Sequence, residues 1–339
     1  MMLRVVSYRQ AENVKTVLSV IIFYSGIAFF LSLFMRKGAS FLLYHSVGSS
    51  GVFQDNIVRE DLFREQIAFL RKKYKVVPLT DILDHLQSGK RVPSNYVAIT
   101  FDDGYRDNWE TALPILKEAG MTATFFPTVD VVENGEPFFY DVIHAIVQKS
   151  DMPEIHVKIK GREKVFSLKN PQDKEDAILR IVLEIRKERP EERREFIETL
   201  RDACAVRGNI KDNLKDLYMT ISHVRDLERN GMEIGSHTLT HPNLPTLTEN
   251  ELAREVENSK KRLETILGKS IKGFSYPFGK RANFNDQVLS KTRGAGYKYA
   301  VSTEYGKVSG NTDMFLLPRI GVRNASLCRL KVNLMGVPL

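Results

Sequence analysis

The sequence predicts an α/β fold, and three stretches carry that expectation. Tyr96-Val97-Ala98-Ile99-Thr100-Phe101 is a β-rich run of the kind that forms a strand buried on both faces. It ends in Asp102-Asp103-Gly104, where the glycine lets the backbone turn sharply. Residues 110–118 are helical in pattern and Thr122–Thr128 reads as a strand, completing a β-α-β unit around that turn. Met232-Glu233-Ile234-Gly235-Ser236 is a further short strand, and it runs into His237 and His241.

In chain order, the uncharged run Thr16–Met35 comes first, with Arg4, Arg9 and Lys15 before it and Arg36 and Lys37 after it. At ~1.5 Å per residue it would reach roughly 30 Å, the thickness of a bilayer core. The charges that follow it suit an uncleaved anchor better than a cleaved signal peptide, with a buried hydrophobic helix as the alternative. Residues 1–37 are therefore expected to form a membrane anchor and residues 38–339 one enzyme-sized domain. Phe41–Val47 reads as the first strand of that domain, and 58–74 as an amphipathic helix with Leu62, Ile67, Phe69 and Leu70 inward. Val76–Leu79 is a short extended piece, and Thr80 reads as the cap of a helix to about Leu86. From about 133 to 225 the pattern changes to an inserted charged helical subdomain. It holds a hairpin (Ile155–Ile159, Lys164–Leu168) and helices near 172–188 and 190–207. Thr248-Glu249-Asn250-Glu251 is a capping box opening a helix to about Leu267. Lys272–Tyr276, Gly296–Val301 and Phe315–Ile320 are the last strands.

The chemistry lies at strand ends. Neighbouring residues on an extended chain point to opposite sides, so Asp102 and Asp103 cannot do the same job. One can ligate a metal while the other faces a water on that metal. Asp-Asp-Gly is also ordinary turn chemistry, but the histidines shift the balance. One helical turn over 237–241 would put both imidazoles on one side, with Pro242 stopping the turn. Two imidazoles and a carboxylate make a three-ligand site for a divalent ion. Zn²⁺ is favoured by ligand type, and Fe²⁺, Co²⁺ or Ni²⁺ are also suited.

Thr100-Phe101-Asp102-Asp103-Gly104 and His237-Thr238-Leu239-Thr240-His241 together resemble the TFDDG and H-[ST]-x-x-H motifs of the polysaccharide deacetylases, the NodB-homology carbohydrate esterases. The resemblance spans residues 41 to about 325, interrupted by the insertion. It implies a distorted (β/α) barrel and metal-dependent removal of an acyl group from a sugar. By position, Asp103, His237 and His241 would hold the metal and Asp102 would be the general base. In a subset of the family a first strand ending Tyr-His supplies the general acid, which matches His45. Pro277-Phe278 resembles the third motif, so the Phe278 N–H is the candidate oxyanion donor, with Tyr105 and Tyr276 as nearby oxyanion or substrate contacts. Three departures stand out. Ser275 replaces an arginine that steadies the base, for which Arg319 is the substitute candidate. The fourth motif, ending Asp-Trp, is absent, since Trp109 is the single tryptophan. No histidine follows His241. All three fit the subset acting on exopolysaccharides.

The implied activity is N-deacetylation of a polysaccharide containing N-acetylhexosamine, on the extracytoplasmic side of a membrane. A lipid-linked sugar is a variant substrate, and a carbohydrate-binding protein that has lost catalysis is the reading from another class. The net charge of +8 favours anionic partners. Basic and acidic residues alternate and no nucleic-acid motif is present, which counts against DNA or RNA. Cys204 and Cys328 lie far apart and say little about compartment.

Overall fold

The computed structural model describes residues 2–32, 37–48, 57–324 and 326–339. In chain order the strands are β1 (Ser40–Tyr44), β2 (Ser46–Val47), β3 (Ile57–Val58), β4 (Lys75–Val76), β5 (Tyr96–Asp103) and β6 (Thr124–Pro127). The rest are β7 (Glu154–Ile159), β8 (Arg162–Ser167), β9 (Glu233–Ile234), β10 (Gly273–Ser275), β11 (Tyr299–Val301) and β12 (Ile320–Gly321). A parallel sheet runs β12-β1-β5-β6-β9, with β4 also beside β5. Single parallel bridges, Ser236 to Phe274 and Val301 to Leu317, connect β9 to β10 and β11 to the segment before β12. Since β10 and β11 are themselves paired, the strand path returns to its start, and the array wraps around its own core.

Strand β5 is buried along all but its first residue, as a central parallel strand must be. The register pairs Tyr44 with Phe101, and Phe101 with Phe125. Their rings stack at centroid distances of 5.3 and 4.7 Å. This aromatic row lies one residue before His45 and Asp102, so it fixes both functional residues at one level. Burying each such ring contributes about 1.5–3 kcal/mol, and a slip of one residue would turn Asp102 to the wrong side.

The helix Glu60–Lys73 covers this row with Leu62, Phe63, Ile67 and Leu70 buried. Phe69, expected inward, is only partly buried. Thr80 does not cap the next helix, Leu79–Gln87, whose N-cap is Pro78. Pro78 has no side-chain acceptor, and Glu233 of β9 takes the Leu79 N–H at 3.0 Å while also accepting from the Thr80 hydroxyl. Thr248 does cap its helix, bonding reciprocally with Glu251. That helix continues to Leu267 with one π-helical turn, Arg254–Asn258.

Between β6 and β9 the chain builds a second hydrophobic core. Helix Phe139–Lys149, the β7–β8 hairpin and helices Pro171–Ile185 and Pro190–Ala203 bury Ile146, Ile155, Phe166, Ile181 and Leu200. Most charges of both long helices lie opposite these residues, Arg193 being buried.

No helix among the described residues is long and apolar enough to cross a membrane. The expected single span is broken: helix Met2–Tyr24 ends, Gly26 takes φ 77°, and a short helix Ile27–Ser32 follows. Residues 33–35 of the apolar run lie outside the described residues. The first helix packs against Leu327–Leu334, where Arg329 Nη1 donates to Glu12 Oε2 at 2.7 Å and Lys331 sits 4.8 Å from the Phe23 ring. Cys204 and Cys328 are both free.

Candidate active site

Asp103, His237 and His241 converge, all buried, with one ligand atom from each within 4.8 Å of the others. Asp103 Oδ1 stands 3.4 Å from His237 Nε2 and 3.6 Å from His241 Nε2. Those separations are what a tetrahedral ion with bonds of about 2.0–2.2 Å imposes on its ligand atoms. His237 Nδ1 lies 2.8 Å from the Ser275 carbonyl, a contact that would leave the Nε2 lone pair free to hold an ion.

The backbone does not reach this arrangement by the expected helical turn. Residues 237–241 are irregular, with Thr238 at φ 67° and His241 at φ 59°. The His241 N–H donates to Thr238 Oγ1 at 3.0 Å, and Glu255 Oε2 accepts the Leu239 and Thr240 N–H groups, each at 2.9 Å. Side chains therefore supply the bonds that a helix would have made. Of the six non-glycine residues with positive φ among the described residues, Asp103, Thr238, His241 and Phe278 all lie here. Such conformations cost of order 1–3 kcal/mol each and gather at functional sites.

Asp102 points to the other side of β5 and is fully engaged. Arg319 grips it with two bonds, Nη1 to Oδ1 at 2.8 Å and Nη2 to Oδ2 at 2.6 Å. Arg319 is wholly buried and is held in turn by the Ser302 carbonyl at 2.8 Å and Thr100 Oγ1 at 3.1 Å. Ser275 Oγ donates to Asp102 Oδ2 at 2.9 Å. Burial raises the Asp102 carboxyl, and the charges of Arg319, His237 and His45 together with the Arg319 hydrogen bonds more than offset it, leaving Asp102 below its ordinary pKa. Asp103 is also raised by burial, then pulled well below the carboxylate range by His237 and the charges of His45 and His241.

His45 is partly exposed just past β1, its carbonyl accepting from Asn108 Nδ2 at 2.8 Å. Burial lowers its imidazole, partly countered by the charges of Asp103 and Asp102. Phe278 is half-buried at φ 60°, with its ring 4.9 Å from His241. Its N–H makes no hydrogen bond among the described residues.

Two expected contacts are corrected. Tyr276 is a core residue whose hydroxyl donates to the Phe315 carbonyl at 3.2 Å and whose ring stacks on Phe284. Tyr105 is buried in the second core, stacked on Tyr218, with its hydroxyl 3.2 Å from Asp141. Both residues adjoin site loops in sequence, but the backbone turns there and sends their rings inward.

Sequence reading missed Glu255, which shapes the histidine loop, and Tyr140, whose hydroxyl is 3.4 Å from Asp103 Oδ2. It also missed Asp141, which burial pushes up to about 8 between Tyr218 and Tyr105. Glu255 sits inside a helix like any surface acid. Only the fold places it under the loop.

The polysaccharide deacetylase family profile matches residues 89–156 and 203–300. The chain belongs to the polysaccharide deacetylase family. The match includes both motifs and breaks off within the insertion. As a polysaccharide deacetylase it is a hydrolase acting on amide bonds, in a family that is generally metal-dependent, and its buried Asp103, His237 and His241 suit a metal. The Bacillus subtilis protein YxkH is 23% identical over 282 residues, covering 83% of this chain and 70% of YxkH. The Escherichia coli poly-β-1,6-N-acetyl-D-glucosamine N-deacetylase is 37% identical over 71 residues, which is 21% of this chain and 11% of that enzyme. The Streptococcus pyogenes deacetylase PplD, solved with acetate, superposes with a TM-score of 0.56 at 19% identity, covering 85% of this chain and 93% of PplD. That likeness shows the fold.

Proposed function

We propose that this polysaccharide deacetylase removes N-acetyl groups from N-acetylhexosamine units of a polysaccharide, with a divalent ion at Asp103, His237 and His241. The observation that carries the reading is the division of labour at the end of β5, where Asp103 meets two imidazoles and Asp102 is clamped, anionic, on the opposite side. A bound ion would polarise the acyl carbonyl and lower the pKa of a water toward ~7. Zn²⁺ suits the ligand set best, with Fe²⁺, Co²⁺ or Ni²⁺ as alternatives. Asp102 takes the proton of the attacking water. The Phe278 N–H, unspent among the described residues, donates to the oxyanion. His45 protonates the departing amine as the C–N bond breaks, leaving acetate and a free amino sugar. A binding protein would have no need for an anionic base held beside a metal site.

The short matching segment in the Escherichia coli enzyme supports N-acetylglucosamine as the sugar. The apolar run before residue 37, with Val17 and Ile21 more than half exposed, supports attachment to a membrane with the catalytic domain on its extracytoplasmic side.

Acetate release from N-acetylglucosamine oligomers by the full chain tests the reading. Release should stop with chelator and return with one of these ions. Asp102→Asn should abolish turnover with metal content intact, and loss of metal in that variant would refute the division of roles. His45→Ala should lower turnover at least ~100-fold; near-wild-type rates would remove His45 as the acid.

A further inference from the structure

A cavity of about 760 Å³ separates helix Pro190–Ala203 of the insertion from the histidine loop, with His241 in its wall. Its most unusual wall group is Arg193, only 6% exposed. The Arg193 guanidinium lies 4.7 Å from the Phe139 ring and makes no hydrogen bond or ion pair with any described residue. Burial pulls it down to about 10, so it is charged at neutral pH. Glu255 and Glu191 act on it through their charge, but neither bonds it, so its five donors in a fixed plane are left to offer.

Most acids of the wall are already committed. Asp130 pairs with Arg262, Glu136 with Lys211, Glu198 with Arg201 and Glu251 with Arg189. Glu255 spends both oxygens on Leu239 and Thr240. The other wall cations, Arg194, Lys211 and Arg254, are exposed. His241, also in the wall, has its Nδ1 buried without a partner among the described residues.

We infer that this cavity is a substrate subsite for an anionic substituent, a carboxylate or phosphate on a sugar next to the one being deacetylated, received by Arg193 of the insertion. Planar guanidinium binds two oxygens of such a group bidentately, and Phe138 and Phe139 line the cavity beside it. The inference rests on the proposed deacetylase reading and adds a substrate class to it. It also gives the insertion a task, since Arg193 and Phe139 both come from it.

The test compares acetate release by the full chain from three matched N-acetylglucosamine oligosaccharides: neutral, carrying uronate units, and carrying phosphate. Wild-type kcat/KM should favour one anionic substrate at least tenfold, and which one identifies the group. Arg193→Met should erase that ratio and Arg193→Lys should keep part of it. A neutral preference, or an unchanged ratio in Arg193→Met, would overturn the inference even while acetate release upholds the enzyme reading. If no substrate releases acetate, calorimetric titration with the same oligosaccharides decides separately. Anion-dependent binding lost in Arg193→Met supports the subsite, and equal binding of all three refutes it.

Discussion

Arg319 and Ser275 together hold Asp102, and their effect is on its charge. With Arg319→Met, the burial that raises Asp102 loses its main opponent, so the carboxyl would move above its ordinary 3.8. Under the proposed mechanism the acid limb of kcat/KM then shifts to higher pH, and a pH profile identical to wild type would rule out this role. The stability sign follows the same logic. In wild type the depressed Asp102 contributes stability above its unfolded pKa that is lost as pH falls. In the variant the raised carboxyl reverses the trend, and stability falls as pH rises. Breaking one partner from a buried pair costs about 3–5 kcal/mol, measurable by denaturant unfolding. Arg319 was legible as a candidate from the serine at position 275, whereas its complete burial and twofold grip on Asp102 were not. Nothing local in Pro318-Arg319-Ile320 separates that outcome from a surface arginine after a proline.

Among the elements, the histidine loop depends on a helix distant from it in sequence. The π-helical turn Arg254–Asn258 presents Glu255 to the N–H groups of Leu239 and Thr240. Removing that acceptor strands the buried Leu239 N–H and the part-buried Thr240 N–H and frees the spacing between His237 and His241. Glu255→Ala should weaken metal binding about 10–100-fold, the usual effect of losing a group that orients ligands, with Glu255→Gln milder because one acceptor remains. Ion titration followed by calorimetry reads this directly, and an unchanged affinity would show the loop to be self-supporting. The four-residue step from His237 to His241 signalled convergence correctly. It suggested a helix because spacing carries no information about φ. The positive φ at Thr238 and His241 is imposed by tertiary bonds against the preference of a β-branched residue.

For the whole molecule, helix Met2–Tyr24 lies on the C-terminal helix through Glu12 and Arg329, and exposes Val17 and Ile21. The proposed membrane attachment predicts that the full chain sediments with anionic lipid vesicles. Val17→Asp with Ile21→Asp should reduce that fraction several-fold, and equal sedimentation would sink the attachment. The unbroken uncharged run of 16–35 pointed to one straight span, but Gly26 lets the backbone take a left-handed φ and the helix stops.

The sequence by itself determined the parallel α/β class, the convergence of Asp103, His237 and His241, and the opposed direction of Asp102. Each follows from local rules: strands buried on both faces, alternation along an extended chain, and ligand types at fixed spacing. The tertiary structure decided which neighbours those residues would have. It buried Tyr105 and Tyr276, brought Arg319 across the array to Asp102, set Glu255 beneath the histidines, and enclosed Arg193 against a cavity. Such pairings join positions up to 217 residues apart. They depend on strand register and on how a closing sheet folds over its core, which no window of sequence contains.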